Sequence, residues 1–342
     1  MDLKQPTILV TGASGIVGSH LVLELLQQGH KIKLLVRDKE KTEYYINELI
    51  EYYQINISAL NSKIDWAIGD INDLPFLEEA LMGVKTVFHA AALVSVYQTD
   101  TSLMNKTNIE GTANLVNVSM NSGVEWFGYV SSVATLGPNP DGFVDEDYFW
   151  KPGKSHTTYS TSKYLAEQEV WRAQEEGLKV LVVNPAFIIG PSFDARSSAR
   201  IFHQIHKGLP AFINGRGGYV DVRDVAQAII QFWLNDVTGK RIILSAENLT
   251  TKTFLAKVAN AMKAKAPSRE VSAFLIQLAY RLDVILAFFM RRKPMMTKDL
   301  IKMASSNNQF DNNRSLQYGA SYRSIDVSLM EIAPYYLQRL QK

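Results

Sequence analysis

Tyr159 and Lys163 stand in the run Tyr-Ser-Thr-Ser-Lys, so on a helix both project from one face, a single turn apart. A phenol with a pKa of about 10 exchanges protons poorly at neutral pH, and an ammonium beside it favours the phenolate and brings it within working range. Ser132 closes the apolar run Gly128-Tyr129-Val130-Ser131, and its hydroxyl can hold a substrate carbonyl oxygen next to the phenol. Proton transfer at an oxygen is the chemistry this trio suits. A Tyr and a Lys at such spacing also occur on many surface helices, so the pair gains meaning only from what surrounds it.

The first such surrounding lies at the N-terminus. An apolar strand, Ile8 to Val10, ends at Thr11-Gly12, and a helical pattern (Ile16, Val17, Leu21, Val22, Leu25, Leu26) runs on to Gly29 before the next apolar run begins at Ile32. The junction reads Gly12-Ala13-Ser14-Gly15-Ile16-Val17-Gly18, a glycine pattern in the strand-to-helix context of a dinucleotide site. Gly12 suits the tight turn, Gly15 the approach of a pyrophosphate to the backbone, and Gly18 close packing of helix on sheet, with helix-start N–H groups aimed at the anion.

Strand patterns recur at Ile64 to Ile68, Thr86 to Ala92, Trp126 to Ser131 and Val180 to Val183, with helical segments between them. This predicts an α/β fold: a Rossmann-type, doubly wound parallel sheet covered on both faces. Residues 39–61 exceed a minimal crossover and read as an extra helix plus loop, since Tyr45, Leu49 and Tyr52 recur at helical spacing. Beyond Gly190 the alternation loosens, punctuated by Pro191, Pro210, Gly215, Gly217 and Gly218. The expected organisation is a dinucleotide-binding part over 1–190 and a smaller, interleaved α/β substrate part over 191–342, with about 219–246 returning to the first.

Composition removes several classes. With 342 residues, 46% hydrophobic, the chain can bury about three quarters of its unfolded surface. Its 36 basic and 34 acidic side chains leave a formal charge of +2, too little for a nucleic-acid binder that displaces counterions over a broad basic face. No cysteine is present, which excludes thiolate nucleophiles, Cys-ligated metals and disulfides and fits a reducing compartment. Met1 to Val10 lacks the apolar core of a signal peptide, so the expected location is cytoplasmic, and no metal is called for.

Taken together, these motifs resemble the extended short-chain dehydrogenase/reductase superfamily, the NAD-dependent epimerase/dehydratase family, over nearly the whole chain. Gly69-Asp70-Ile71 is similar to the family's adenine-contacting turn, and His89-Ala90-Ala91-Ala92 to its segment beside the nicotinamide ribose. Asn108 resembles its helix-kinking asparagine, and Asn184-Pro185-Ala186-Phe187-Ile188 its strand end beneath the nicotinamide. The dihydroflavonol-reductase-like branch matches best, through Leu35-Val36-Arg37-Asp38, Gly208-Leu209-Pro210-Ala211-Phe212, Tyr219-Val220-Asp221-Val222-Arg223-Asp224-Val225-Ala226 and Ala246-Glu247-Asn248-Leu249-Thr250. The resemblance implies a catalytic triad of Ser132, Tyr159 and Lys163, with Lys163 also holding the ribose. It implies cofactor contacts from Gly12, Ser14, Gly15, Ile16, Val17, Gly18, Arg37, Asp70, Ile71, Ala90, Ala91, Ala92, Asn108, Pro185 and Ile188, and a substrate site flanked by Val133, Ala134, Phe187 and Arg196.

Departures from the family narrow the reaction. Its sugar-nucleotide dehydratases carry an Asp-Glu pair where Val133 and Ala134 stand, and these side chains cannot do acid/base work. Its epimerases usually carry an Arg-Asp pair at the places of Gly217 and Gly218. Arg196, Arg200 or Arg216 could replace that charge, although a solvated surface role is the commoner one for arginine. NAD-type relatives end the second strand on an acid; here Val36 is followed by Arg37, which can stack on adenine and pair with a 2′-phosphate, with Lys39 and Lys41 near. Asp38 is the counter-evidence. NADP(H) is therefore favoured over NAD(H).

Val271 to Met290 is apolar and free of Gly and Pro, long enough to span a bilayer. Arg281 and Asp283 near its centre would each cost roughly 3 kcal/mol to insert. From Lys252 to Lys302 there are 11 basic and 3 acidic residues. A lid over the substrate cleft, with Phe274, Leu278, Leu282 and Phe289 above the carbonyl site, is the preferred reading, and a weak membrane-surface contact through 271–290 stays open. So does a homodimer. The leading function is an NADP(H)-dependent reductase or alcohol dehydrogenase for a small to medium, partly apolar substrate. The alternatives are a sugar-nucleotide epimerase using the same triad and a non-catalytic dinucleotide sensor, the latter disfavoured by the intact triad.

Overall fold

The computed structural model describes residues 7–56, 63–137, 139, 142–148, 150, 151, 153, 156–192 and 198–340. In the first half the chain runs β1 (Thr7–Thr11), α1 (Ile16–Gln27), β2 (Ile32–Val36), α2 (Lys39–Tyr52), β3 (Ile64–Ile68), α3 (Leu74–Ala80) and β4 (Val84–His89). Then come α4 (Thr101–Asn105), a π-helical turn at Lys106–Glu110, α5 (Gly111–Asn121), β5 (Trp126–Val130), the short β6 (Phe143–Val144), α6 (Thr158–Glu175) and β7 (Lys179–Pro185). The rest comprises β8 (Phe187–Ile189), α7 (Ala199–His206), β9 (Ala211–Phe212), β10 (Arg216–Asp221), α8 (Val222–Leu234), β11 (Lys240–Leu244), β12 (Glu247–Thr250) and α9 (Thr251–Ala261). It ends with β13 (Arg269–Glu270), α10 (Ala273–Phe289), α11 (Lys298–Ala304), β14 (Gln309–Phe310), α12 (Asn313–Gln317) and α13 (Ile325–Leu340).

Seven strands form one parallel sheet in the order β11-β7-β5-β4-β1-β2-β3. Side chains alternate between its faces. Ile8, Val10, Leu34, Phe88, Leu181 and Val183 join the core under α1 and α8, while Leu9, Leu35, Val87, Phe127, Val180 and Val182 join the core under α3, α5 and α6. Each such side chain stabilises the fold by about 1.5–3 kcal/mol on full burial. The strand order reverses between β1 and β4, where Thr11 pairs with His89, so the loops leaving both strands open side by side into a crevice.

A smaller sheet, β12-β10-β8, and the pairs β13-β9 and β14-β6 build the second lobe. Its own core gathers Ile189, Phe202, Tyr219, Phe254, Val258, Ile325, Leu329 and Ile332. The α2 helix buries Thr42, Ile46, Leu49 and Ile50 at helical spacing. It meets the chain's last helix: Tyr52 donates to the Glu331 carbonyl, its ring lies 5.0 Å from that of Tyr335 edge to face, and Arg339 pairs with Glu48 at 2.6 Å.

Two expectations change. The strand expected over Thr86 to Ala92 stops at His89, because the Asn108 side chain accepts from the Leu93 N–H at 2.7 Å and donates to its carbonyl at 3.0 Å, occupying groups a strand partner would need. The face of α10 expected to be covered is the exposed one. Phe274, Leu278, Leu282 and Phe289 are 75%, 44%, 51% and 76% exposed, while the inward stripe of α10 is Ile276, Tyr280, Asp283 and Ala287. Apart from Gln277, Arg281 and Asp283 the helix is apolar on every side, so hydropathy alone does not say which side faces in.

Candidate active site

At the end of β1 the chain turns through Gly12 at φ +74°, and the Gly15 N–H donates back to the Gly12 carbonyl at 2.8 Å. A Cβ on Gly18 would fall 2.1 Å from that carbonyl, so only glycine lets α1 start here. Above Gly15 the space is open: an added Cβ would meet only the Gly12 oxygen, at 3.2 Å, and Ser14 and Gly15 are exposed. No side chain caps α1, and its first turn holds no acid. A glycine-lined, uncapped helix start with orphan N–H donors fits a pyrophosphate. Ile16 is half-buried, and Val17 and Gly18 face the core.

At the adenine side, Val36 is buried and Arg37 exposed. Asp38 caps α2, accepting from the Lys41 N–H at 2.9 Å. Lys39 and Lys41, expected near a 2′-phosphate, lie over the rings of Trp66 and Tyr45, at 5.4 and 5.6 Å; cations so close to an aromatic face are drawn to it. Asp70 accepts from the Asn72 N–H and side-chain amide, at 2.9 and 3.0 Å, and these bonds, helped by Arg37 and Lys106, hold it below the usual carboxylate range. Ile71 packs into the core beneath α5.

Between these ends runs a buried polar chain. The Ala91 N–H donates to Thr11 Oγ1 (3.2 Å), which shares a 2.7 Å bond with His89 Nδ1; His89 Nε2 lies 2.9 Å from Thr112 Oγ1, and Thr112 donates to the Asn108 carbonyl at 2.6 Å. Since Thr112 spends its proton on Asn108, the network assigns the ring proton of His89 to Nε2. Burial first, and Lys163 second, push the His89 pKa down to about 3, so the ring stays neutral. Asn108 in turn donates to Ser162 Oγ at 3.0 Å. Ala90 and Ala91 are half-buried and Ala92 exposed beside this chain.

The catalytic candidates converge at the start of α6. Thr157 and Ser160 form a capping box there, and Asp299 accepts from the Thr158 N–H at 2.9 Å. Lys163 is buried, donates to the Val130 carbonyl at 2.8 Å and stands 4.1 Å over the Tyr129 ring. Burial lowers its pKa to about 7, with Glu167 acting in the opposite sense. Burial pushes the Tyr159 phenol up to about 12, opposed by a hydrogen bond from Ser132. Ser132 Oγ accepts from the Ala134 N–H at 3.2 Å, and its carbonyl accepts from Asn184 Nδ2 at 3.0 Å. The serine is thus held at the end of β5.

One partner escaped the sequence reading. Glu167, fully buried, accepts from Ser131 (2.7 Å), Thr135 (3.0 Å), Asn184 (3.2 Å), Trp171 (3.2 Å) and Arg241 Nε (2.8 Å). Its place one helical turn beyond Lys163 was a usable signal. Arg241 arrives from β11 with no local one.

Of the expected substrate residues, Val133 and Ala134 are half-buried in a 3₁₀ turn after Ser132, and the Phe187 ring rests edge-on against Tyr219 and Phe254, at 5.7 and 6.0 Å. Pro185 ends β7 and Ile188 pairs with Val220. Arg196 lies outside the described residues. At Gly218 a Cβ would meet Ser245 Oγ at 2.4 Å and Ala186 Cβ at 3.0 Å, so no larger side chain fits there.

A family model described as the NAD dependent epimerase/dehydratase family matches residues 8–244. The chain belongs to this family. A Synechocystis sp. protein carrying the name dihydroflavonol 4-reductase, as a provisional one, is 31% identical over 96% of this chain and 93% of its own. Sterol demethylase protein B of Methylococcus capsulatus is 30% identical over 90% and 91%. The crystal structure of gox2253 superposes with a TM-score of 0.79 at 29% identity, covering 98% and 99%. This epimerase/dehydratase-family chain is an NAD(P)-dependent oxidoreductase of the extended short-chain dehydrogenase/reductase type. Among its described residues no helix is long and apolar enough to cross a membrane.

Proposed function

We propose that the protein is an NADP(H)-dependent reductase of a ketone or aldehyde, or dehydrogenase of the matching alcohol, on a small to medium, partly apolar substrate. One observation carries this reading: Tyr159 and the buried Lys163 stand one turn apart on α6, Ser132 lies near enough to the phenol to oppose the rise of its pKa, and the residues after Ser132 are the apolar Val133 and Ala134. When bound, the nicotinamide cofactor supplies hydride in reduction or accepts it in oxidation. Ser132 orients the substrate oxygen. Tyr159 delivers the proton that turns the developing alkoxide into an alcohol, and the Lys163 ammonium favours the resulting phenolate and holds ribose hydroxyls.

Apolar flanks favour ring or chain carbonyls over sugars, whose buried hydroxyls would each cost about 1–3 kcal/mol if left unpaired. Two relatives bear names that specify a dihydroflavonol and a sterol, both built on fused rings. For NADP(H), the support is the exposed Arg37 together with Asp38 spent as a helix cap. Following nicotinamide absorbance with a panel of apolar carbonyl compounds and UDP-sugars tests the whole reading. Carbonyl-dependent oxidation, faster with NADPH than NADH, is expected. Isomerisation of a UDP-sugar with no net consumption of cofactor would overturn it in favour of an epimerase.

A further inference from the structure

The outward face of α10 carries Phe274, Leu278, Leu282, Ile285, Phe288 and Phe289, all exposed, on a helix of 17 residues. This inverts the usual order, in which a surface helix turns its polar side to water. A contiguous apolar surface of that kind, rimmed by charge, marks a site that something covers.

The charges say what. From Lys263 to Lys298 there are eight basic residues against two acidic ones. Asp283, the only acid of α10, is turned inward, accepting from Arg292 at 2.6 Å and from the Met296 N–H at 2.8 Å. Arg281 and Arg291 remain exposed beside the apolar face, as do Lys265, Arg269 and Lys298 around its ends. A second copy of the chain seated there would set the same cations against each other. An anionic lipid surface satisfies both features: acyl chains cover the rings and leucines, and headgroups pair with the cations.

We propose that α10 is a membrane-docking helix that lies flat in the headgroup region of an anionic bilayer, its axis of about 25 Å parallel to the surface. The segment is tied to both rims of the catalytic cleft. Lys293 pairs with Asp100 at 3.2 Å and covers the Tyr97 ring at 4.9 Å, on the loop after Ala92; Asp299 and Lys302 bond to Thr158 and His156 beside Tyr159. Docking through α10 therefore sets the cleft mouth beside the lipid surface. The proposal stands apart from what the cleft reduces.

Flotation of the full chain with phosphatidylcholine vesicles, with and without 30 mol% (~) phosphatidylglycerol, decides it. Binding is expected only to the anionic vesicles, falling with salt, and weakening about fivefold for each of Arg281→Gln and Arg291→Gln. The double variant Leu278→Asp/Ile285→Asp should abolish flotation while circular dichroism and thermal midpoint stay as in wild type, because both side chains face water. No flotation on either vesicle, equal flotation on neutral ones, or self-association in sedimentation equilibrium that the same double variant removes would each overturn the proposal.

Discussion

Asn108 and Ser162, 54 positions apart, share a hydrogen bond of 3.0 Å that fastens the π-helical turn before α5 to α6 between Tyr159 and Lys163. Ser162 donates its own proton to the Tyr159 carbonyl at 2.9 Å, so Asn108 is linked through one side chain to the backbone that carries the phenol. The π-helical turn at Lys106–Glu110 brings the Asn108 side chain to Leu93 and Ser162 together. A stray turn of this type inside a helix often marks a working site.

Replacing Tyr159 with phenylalanine keeps the ring and removes the proton donor. Turnover should fall by about 10²–10⁴-fold, the usual contribution of a placed acid, while NADP(H) affinity changes only within a few-fold. Steady-state kinetics and calorimetry read the two separately, and turnover near wild type would remove the phenol from the mechanism.

Lys163 makes stability pH-dependent in the cofactor-free protein. Burial lowers its pKa from 10.5 to about 7 in the folded chain, so between those values the unfolded chain binds the extra proton and stability rises with pH. Lys163→Met has no charge to bury. Its stability relative to wild type should be greatest at pH 7 and below, shrinking toward pH 10.5. Urea midpoints at several pH values check this, and a constant gap would show that the ammonium is not desolvated.

Arg37→Ala should weaken NADPH by about 10–100-fold, the worth of hydrogen bonds to a charged group, with far less effect on NADH. Calorimetry with each cofactor distinguishes pairing from stacking, since stacking on adenine would be lost equally for both.

Glu167→Gln strips the charge opposite a largely buried Arg241 and should cost roughly 3–5 kcal/mol. Adding Arg241→Met should restore part of that, because the orphaned cation leaves too. Denaturant titrations of the single and double variants measure the coupling, and additive losses would mean the two side chains act independently.

What was readable in the sequence was local. The turn from Gly12 to Gly18 and the Tyr159–Lys163 pair declare themselves through fixed short spacings, and alternation along β1 and β7 gives the sheet. Glu167 and Arg241 are 74 positions apart, and no spacing rule links residues brought together by a sheet edge. Asp38 was legible as a helix cap by its place before α2, which its bond to the Lys41 N–H shows, while its distance from Gly18 also suits a ribose acid. The exposure of α10 was hidden for a different reason: hydropathy records that a segment avoids water and not what it meets instead.

The contact between α2 and α13 bears on the order in which this chain is built. Glu48 pairs with Arg339, Tyr52 bonds to Glu331 and meets Tyr335, and Arg339 lies 291 positions downstream of Glu48. A ribosome delivers the cofactor-binding strands first, yet these long-range contacts of α2 form only when synthesis is almost finished. Loss of the last helix would therefore be felt in the N-terminal lobe, near the adenine end, rather than only at the distant tail that was removed.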